Sequence, residues 1–70
     1  MIKFKLIADS EYIELIKLLK ATNISGSGGE AKNIVEDGQV KLNGQIESRK
    51  RAKLRKGDKI EVFDKIIIIE

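Results

Sequence analysis

The 70-residue chain contains no cysteine and no histidine, and it carries a formal net charge of +3. These absences exclude a disulfide, a zinc site of the usual Cys/His kind and a histidine general base. The length allows one domain, residues 1–70. Lysines interrupt the apolar residues at the start, unlike a signal peptide, and the longest apolar run is Ile66 to Ile69, so we expect a cytoplasmic protein without a membrane span.

The N-terminal part predicts one strand followed by one helix. Residues 2–7 alternate between apolar side chains and lysines, which is typical of a half-buried strand. Asp9 or Ser10 is expected to cap a helix over residues 10–21. Two acids in its first turn suit the helix dipole, namely Glu11 and Glu14. Its apolar stripe has helical spacing and consists of Tyr12, Leu15, Ile16 and Leu19.

A glycine-rich segment, residues 22–30, leads into a second helix expected over residues 28–37. The segment has neither a Walker motif nor a dinucleotide fingerprint. Ser27 and Glu30 have the spacing of a capping box, in which the serine side chain accepts a hydrogen bond from the Glu30 amide. The backbone N–H groups at the start of this helix could also bind an anion. Gly38 is expected to end the helix. Its buried face comprises Ala31, Ile34 and Val35, with Lys32 pointing away.

The C-terminal half predicts short strands joined by turns. Val40 and Leu42 alternate with polar residues, and Asn43-Gly44 is a strong hairpin signal before a return strand over residues 45–47. Further turns are expected at Lys56–Lys59 and Asp64-Lys65, with a strand over residues 60–63 between them. The isoleucines of residues 66–69 would promote aggregation on an exposed edge, so we expect a strand with both faces covered.

Half of the positive charge lies in residues 49–59, which we call the basic segment. This segment carries +6 and the remainder of the chain −3. Ala52 and Leu54 are apolar at period 2, which suggests that Leu54 anchors an irregular or extended segment. Alternate residues of a strand are about 6.6 Å apart, close to the phosphate repeat of an extended or A-form backbone. The cations expected to face outward together are Arg49, Arg51, Lys53 and Arg55.

Binding is favoured over catalysis by the residues available. The acids lie in predicted helix starts and turns, so we expect no catalytic residue, no metal and no cofactor. Clustered cations suit a phosphate backbone. Phe4, Tyr12 and Phe63 all fit the core, so recognition by stacked bases is not expected. Structured RNA recognised by shape, or duplex contacted along its backbone, fits better.

The order of these signals also carries a family resemblance. Leu15-x-x-x-Leu19 is followed by Ser27-x-x-x-Ala31-x-x-Ile34-Val35-x-x-Gly38-x-Val40-x-Leu42-Asn43-Gly44, then by the basic segment with Gly57-Asp58-x-Ile60. Over residues 12–62 this order resembles the ribosomal protein S4-like RNA-binding domain, especially its compact free-standing bacterial members. The resemblance implies an α+β fold, with two short helices packed on a small antiparallel sheet of about four to five strands. It also implies a partner, structured RNA such as ribosomal or transfer RNA.

The resemblance implies an RNA face at the start of the second helix and the segment after the hairpin. Many family members have arginine directly after the motif serine, where this chain has Gly28, so backbone N–H groups and the basic segment are expected to substitute. We expect a monomer whose partners include the ribosome. The candidate RNA-binding residues, with Arg55 and Lys56 added for their charge, are Ser27, Lys32, Arg49, Lys50, Arg51, Lys53, Arg55 and Lys56.

Three alternatives stay open at this point. Asn43-Gly44 and the later Gly57-Asp58 are similar to the end of sulfur carriers with a β-grasp fold, although the chain ends in Ile69-Glu70 instead of Gly-Gly. The basic segment would also suit an acidic partner protein in an assembly. Duplex DNA is the third alternative, because backbone contacts barely discriminate between polyanions.

Overall fold

The computed structural model describes residues 1–7 and 9–70 and has the predicted α+β architecture. Five strands form one sheet in the order β1-β7-β6-β3-β4, and β2 pairs separately with β5. The sheet is mixed, because β1 and β7 run parallel while its other neighbouring pairs are antiparallel. The elements are β1 (Ile2–Phe4), β2 (Ile13–Glu14), α1 (Leu15–Ala21), α2 (Gly28–Glu36), β3 (Val40–Leu42), β4 (Gln45–Ile46), β5 (Lys53–Leu54), β6 (Lys59–Val62) and β7 (Lys65–Ile69).

The hydrophobic core lies between the two helices and one face of the five-stranded sheet. The buried face predicted for α2 is confirmed, and Lys32 is exposed as expected. Side chains on alternate positions of the central strands complete the core, as expected for strands with one buried face. The helices and the five-stranded sheet contribute Leu15, Leu18, Leu19, Ala31, Ile34, Val35, Val40, Ile60, Val62, Ile67 and Ile69.

The isoleucine run lies inside the sheet, where β7 pairs with β1 on one side and with β6 on the other. Ile67 and Ile69 are buried in the core, but Ile66 and Ile68 on the opposite face are only half-buried. The expectation of two covered faces was therefore wrong for the second face. We call that face, away from the helices, the outer face of the sheet.

The N-terminal elements are shorter than predicted. The first strand ends at Phe4, and the helix expected over residues 10–21 begins only at Leu15. Ile13 and Glu14 form a strand instead, because they pair with β5 of the basic segment. Glu14 occupies the N-cap of α1 without a side-chain hydrogen bond, so capping by Asp9 or Ser10 was a wrong prediction.

The connection between the helices is ordered by local hydrogen bonds. The amides of Ile24 and Ser25 both donate to the carbonyl of Leu19, and Ser25 is buried. The Glu30 amide donates to Ser27 Oγ at 3.2 Å, which confirms the serine cap of α2. Gly38 follows the helix with a φ of 74°, as predicted for its C-terminal residue.

Removal of the Ser27 hydroxyl is expected to destabilise the domain. Ser27→Ala takes away the partner of the Glu30 amide, and loss of such a cap costs about 1 kcal/mol. Urea denaturation measures the change in the free energy of unfolding. The exposed Ser48 serves as the control, and an equal loss in Ser48→Ala would contradict the capping role.

Two turns of the sheet contain residues with positive φ. Asn43 and Gly44 both have positive φ, 51° and 88°, so the predicted tight hairpin is confirmed. The turn between β6 and β7 lies at Phe63-Asp64, one residue before the predicted position. Phe63 has a φ of 54° and is 59% exposed, which corrects its predicted place in the core.

Candidate nucleic-acid interface

Two apolar side chains fasten the basic segment to the body of the domain. Leu54 is fully buried, which confirms it as the predicted anchor, and Ala52 is nearly fully buried as well. β5 pairs with β2, with Leu54 opposite Ile13 and Lys53 opposite Glu14. Since side chains alternate across a strand, burial of Leu54 directs its neighbours Lys53 and Arg55 to the solvent side.

Backbone carbonyls of the basic segment cap the start of α1. The Leu15 amide donates to the carbonyl of Ala52 at 3.0 Å, and the Ile16 amide donates to that of Lys50 at 3.1 Å. The first amides of a helix have no partner within the helix, so these carbonyls replace the missing side-chain cap. Displacement of the segment would therefore expose two helix amides as well as Leu54. Lys50 itself is only half-buried at this junction.

The C-terminal end of the segment is fastened to the hairpin turn. Asp58 closes the turn around Gly57, because its carboxylate accepts from the Arg55 amide at 2.8 Å. The Asn43 side chain donates to Asp58 Oδ1 at 3.1 Å and accepts from the Lys59 amide at 2.9 Å. The chain is thus held at both ends of the cationic stretch.

Four exposed cations of the basic segment are grouped by shared neighbours. Arg49, Arg51 and Lys53 line one open depression together with Ala52. Lys53 Nζ and Arg55 Cζ lie 5.0 Å and 5.8 Å from the centre of the Tyr12 ring, so both cations lie against the same side chain. We call these four side chains the cationic row, and the exposed Lys56 follows in the next turn.

One cation of the row, Arg49, forms an ion pair with a carboxylate. Arg49 donates from Nε and Nη2 to the two oxygens of Glu47 at 3.1 Å and 3.0 Å, and its amide also donates to Glu47. The side-chain hydrogen bond from Arg49 lowers the pKa of Glu47, and the same bond raises the pKa of the guanidinium. The pair is therefore charged at neutral pH, and Glu47 offsets part of the positive potential at this end.

The remaining candidate residues lie on α2. Ser27 is exposed with its hydroxyl engaged by the Glu30 amide, and Lys32 is exposed along the helix. Within residues 1–7 and 9–70, no hydrogen bond or ion pair joins either side chain to the basic segment.

Sequence reasoning missed the position of Tyr12. Its spacing from Leu15 and Leu19 suggested a helical core residue, whereas it is 40% exposed beside the cations. No period-2 alternation marks a strand here, because Tyr12 and Ile13 are consecutive apolar residues, so the helical pattern had no local competitor.

Two negative observations apply to the part of the chain that the structure describes. No group of three or more acidic, histidine or cysteine side chains is arranged to hold a metal ion. No helix there has the length and apolar character needed to cross a membrane.

The fold and the site together define a small α+β domain that presents an anchored cationic surface. The S4 domain family matches residues 5–70, and the chain belongs to that family. The predicted resemblance is thereby confirmed, and the β-grasp alternative is set aside.

The chain is similar to known proteins in both sequence and structure. It is 43% identical over 49 residues to "Putative RNA-binding protein YbcJ" of Escherichia coli (strain K12), with 70% of each chain covered. The same values hold for "Uncharacterized protein YbcJ" of Shigella flexneri. The solution structure of YbcJ from E. coli, described as revealing an αL motif involved in RNA binding, has a TM-score of 0.72 at 35% identity. That superposition covers 99% of this chain and 86% of that one.

Proposed function

We propose that this chain is a non-enzymatic protein that binds structured RNA through its basic segment. The proposed ligands are ribosomal or transfer RNA, and the proposed setting is a monomer in the cytoplasm that works on or near the ribosome. The proposed RNA-binding residues are six cations of the segment together with the N-cap serine of α2 and one lysine on that helix. They are Ser27, Lys32, Arg49, Lys50, Arg51, Lys53, Arg55 and Lys56.

The anchored cationic row is the observation that carries this proposal. Each neutralised phosphate releases counterions, so clustered cations give affinity for a nucleic acid without base-specific contacts. Leu54 and the two capping carbonyls hold the backbone of the row in place before binding, so the segment loses little conformational entropy when it binds. Membership of the S4 family, and a relative whose name states RNA binding, support RNA over DNA as the ligand.

A mobility-shift titration at several salt concentrations tests the proposal. The probes are a transfer RNA, a ribosomal RNA hairpin and duplex DNA matched in length to the hairpin. With about five phosphate contacts, the log–log slope of affinity against salt is expected near −3.5 to −4.5. The RNAs should also compete better than the DNA. A flat salt response, or DNA that competes equally well, would contradict the proposal.

Release of Arg49 from its partner is expected to strengthen RNA binding. Glu47→Gln removes the carboxylate that holds the guanidinium and lowers the negative charge beside the row. We expect the affinity to rise by roughly two- to fivefold at low salt, since exposed ion pairs are weak but phosphate contacts are additive.

The control for this variant removes a carboxylate elsewhere. Glu36→Gln, at the exposed end of α2, makes the same change in net charge. It should leave the affinity nearly unchanged in the same titration. If both variants gain equally, the local role of Glu47 is wrong.

A further inference from the structure

Tyr12 is part of the cationic surface instead of the core. The β2–β5 register places Ile13 opposite Leu54, so its continuation by one pair sets Tyr12 opposite Arg55. Residues opposite each other across a ladder share one face, which here is the exposed face. The two cation–ring distances of 5.0 Å and 5.8 Å agree with that arrangement.

An apolar groove lies next to the same tyrosine. Tyr12 and Ile13 line this groove with Phe4 and Leu6 from the N-terminal strand region, and Lys17 of α1 also borders it. Phe4, Leu6 and Ile13 are half-buried, so their accessible atoms give the groove an apolar surface. Tyr12 therefore borders both this groove and the cationic row.

We propose that the groove beside Tyr12 accepts an unpaired nucleobase of the bound RNA; this inference rests on the proposed function. A base within a duplex is stacked on its neighbours, whereas a bulged or looped base has free faces that stack on aromatic and apolar side chains. Lys53 and Arg55 are positioned to contact the phosphates that flank such a base. Lys17 borders the groove but is paired with Glu14 at 3.5 Å, so it contributes less positive potential there. The occupant is thus a nucleotide whose phosphates continue along the cationic row.

The experiment compares two RNA hairpins that differ by one bulged nucleotide. Wild-type protein should bind the bulged hairpin more tightly than the fully paired one. Tyr12→Leu should reduce affinity for the bulged hairpin by roughly tenfold, since the substitution removes the aromatic ring on which the base would stack. Tyr12→Phe keeps the ring and should retain most of the preference. The matched control is Phe63→Leu, because Phe63 is an exposed aromatic in the distant β6–β7 turn.

A fluorescent base analogue gives a readout that positioning of the cations alone would not produce. With 2-aminopurine at the bulge, binding of the wild-type protein should change its fluorescence through stacking, and Tyr12→Leu should abolish that change. Circular dichroism confirms that each variant is folded. If Tyr12→Leu weakens both hairpins equally without altering the fluorescence, the ring only positions Lys53 and Arg55 and the inference is overturned. If wild-type protein binds neither hairpin, the proposed function itself fails.

Discussion

Replacement of Arg49, Arg51 and Lys53 together by glutamine is expected to reduce RNA affinity by about 100- to 500-fold near 0.1 M salt. Each phosphate contact contributes about 0.7 to 0.9 to the slope of log affinity against log salt concentration. Loss of three contacts therefore lowers the affinity at 0.1 M salt, relative to that at 1 M salt, by about two to three orders of magnitude. The three side chains line one open depression and are exposed, so the fold should persist. Filter binding at several salt concentrations measures both the affinity and the slope.

The control for the triple variant is a second triple variant, which removes the same number of positive charges from a different surface of the domain. Lys3, Lys41 and Lys65 are exposed on strands of the five-stranded sheet, outside the basic segment. Their joint replacement by glutamine should reduce affinity far less, through the general field of the molecule. Equal losses in the two triple variants would mean that net charge, and not the anchored row, drives binding.

Among the substitutions proposed for this protein, Leu54→Ala is expected to reduce the free energy of unfolding most. Leu54 is fully buried where the basic segment meets the core, and truncation of a buried leucine costs about 2–5 kcal/mol. A domain of this size has a total stability of roughly 3–5 kcal/mol, so the substitution removes most of that stability and a substantial fraction of the protein should unfold at room temperature. RNA binding should be lost with it, because the cations are no longer held together.

Thermal and urea denaturation measure this loss, and an exposed apolar residue provides the control. Ile46 is 64% exposed, so Ile46→Ala should change the free energy of unfolding by no more than about 0.5 kcal/mol. Trimethylamine N-oxide favours compact states and should restore folding and RNA binding of Leu54→Ala together. Normal RNA binding by an unfolded Leu54→Ala protein would show that anchoring is unnecessary.

Local signals predicted the second helix and the hairpin because each is determined by residues close in sequence. Ser27, Gly38 and Asn43-Gly44 act through the backbone of their own turns, and their chemistry is visible in a single sequence. The apolar spacing of residues 52 and 54 likewise indicated Leu54 as the anchor of the basic segment. The outward-facing cations that this spacing predicted are exposed, namely Arg49, Arg51, Lys53 and Arg55.

The start of α1 was mispredicted because its cap comes from a distant part of the chain. Carbonyls at residues 50 and 52 accept from the Leu15 and Ile16 amides, and the β2–β5 pairing replaces the first helical turn. No local pattern encodes such a contact between segments more than thirty residues apart. The same pairing brings Tyr12 to the surface, so its position beside Lys53 and Arg55 was missed for the same reason.

An NMR titration with a structured RNA hairpin tests the central claim most directly, because it reports on every backbone amide of the domain at once. We predict that the largest changes in amide chemical shift occur at residues 49–56 and at Tyr12, with smaller changes at the start of α2. Amides of the outer sheet face, such as those of Lys41 and Ile66, should change little. Changes concentrated on that outer face, or spread evenly over the domain, would contradict binding through an anchored cationic row.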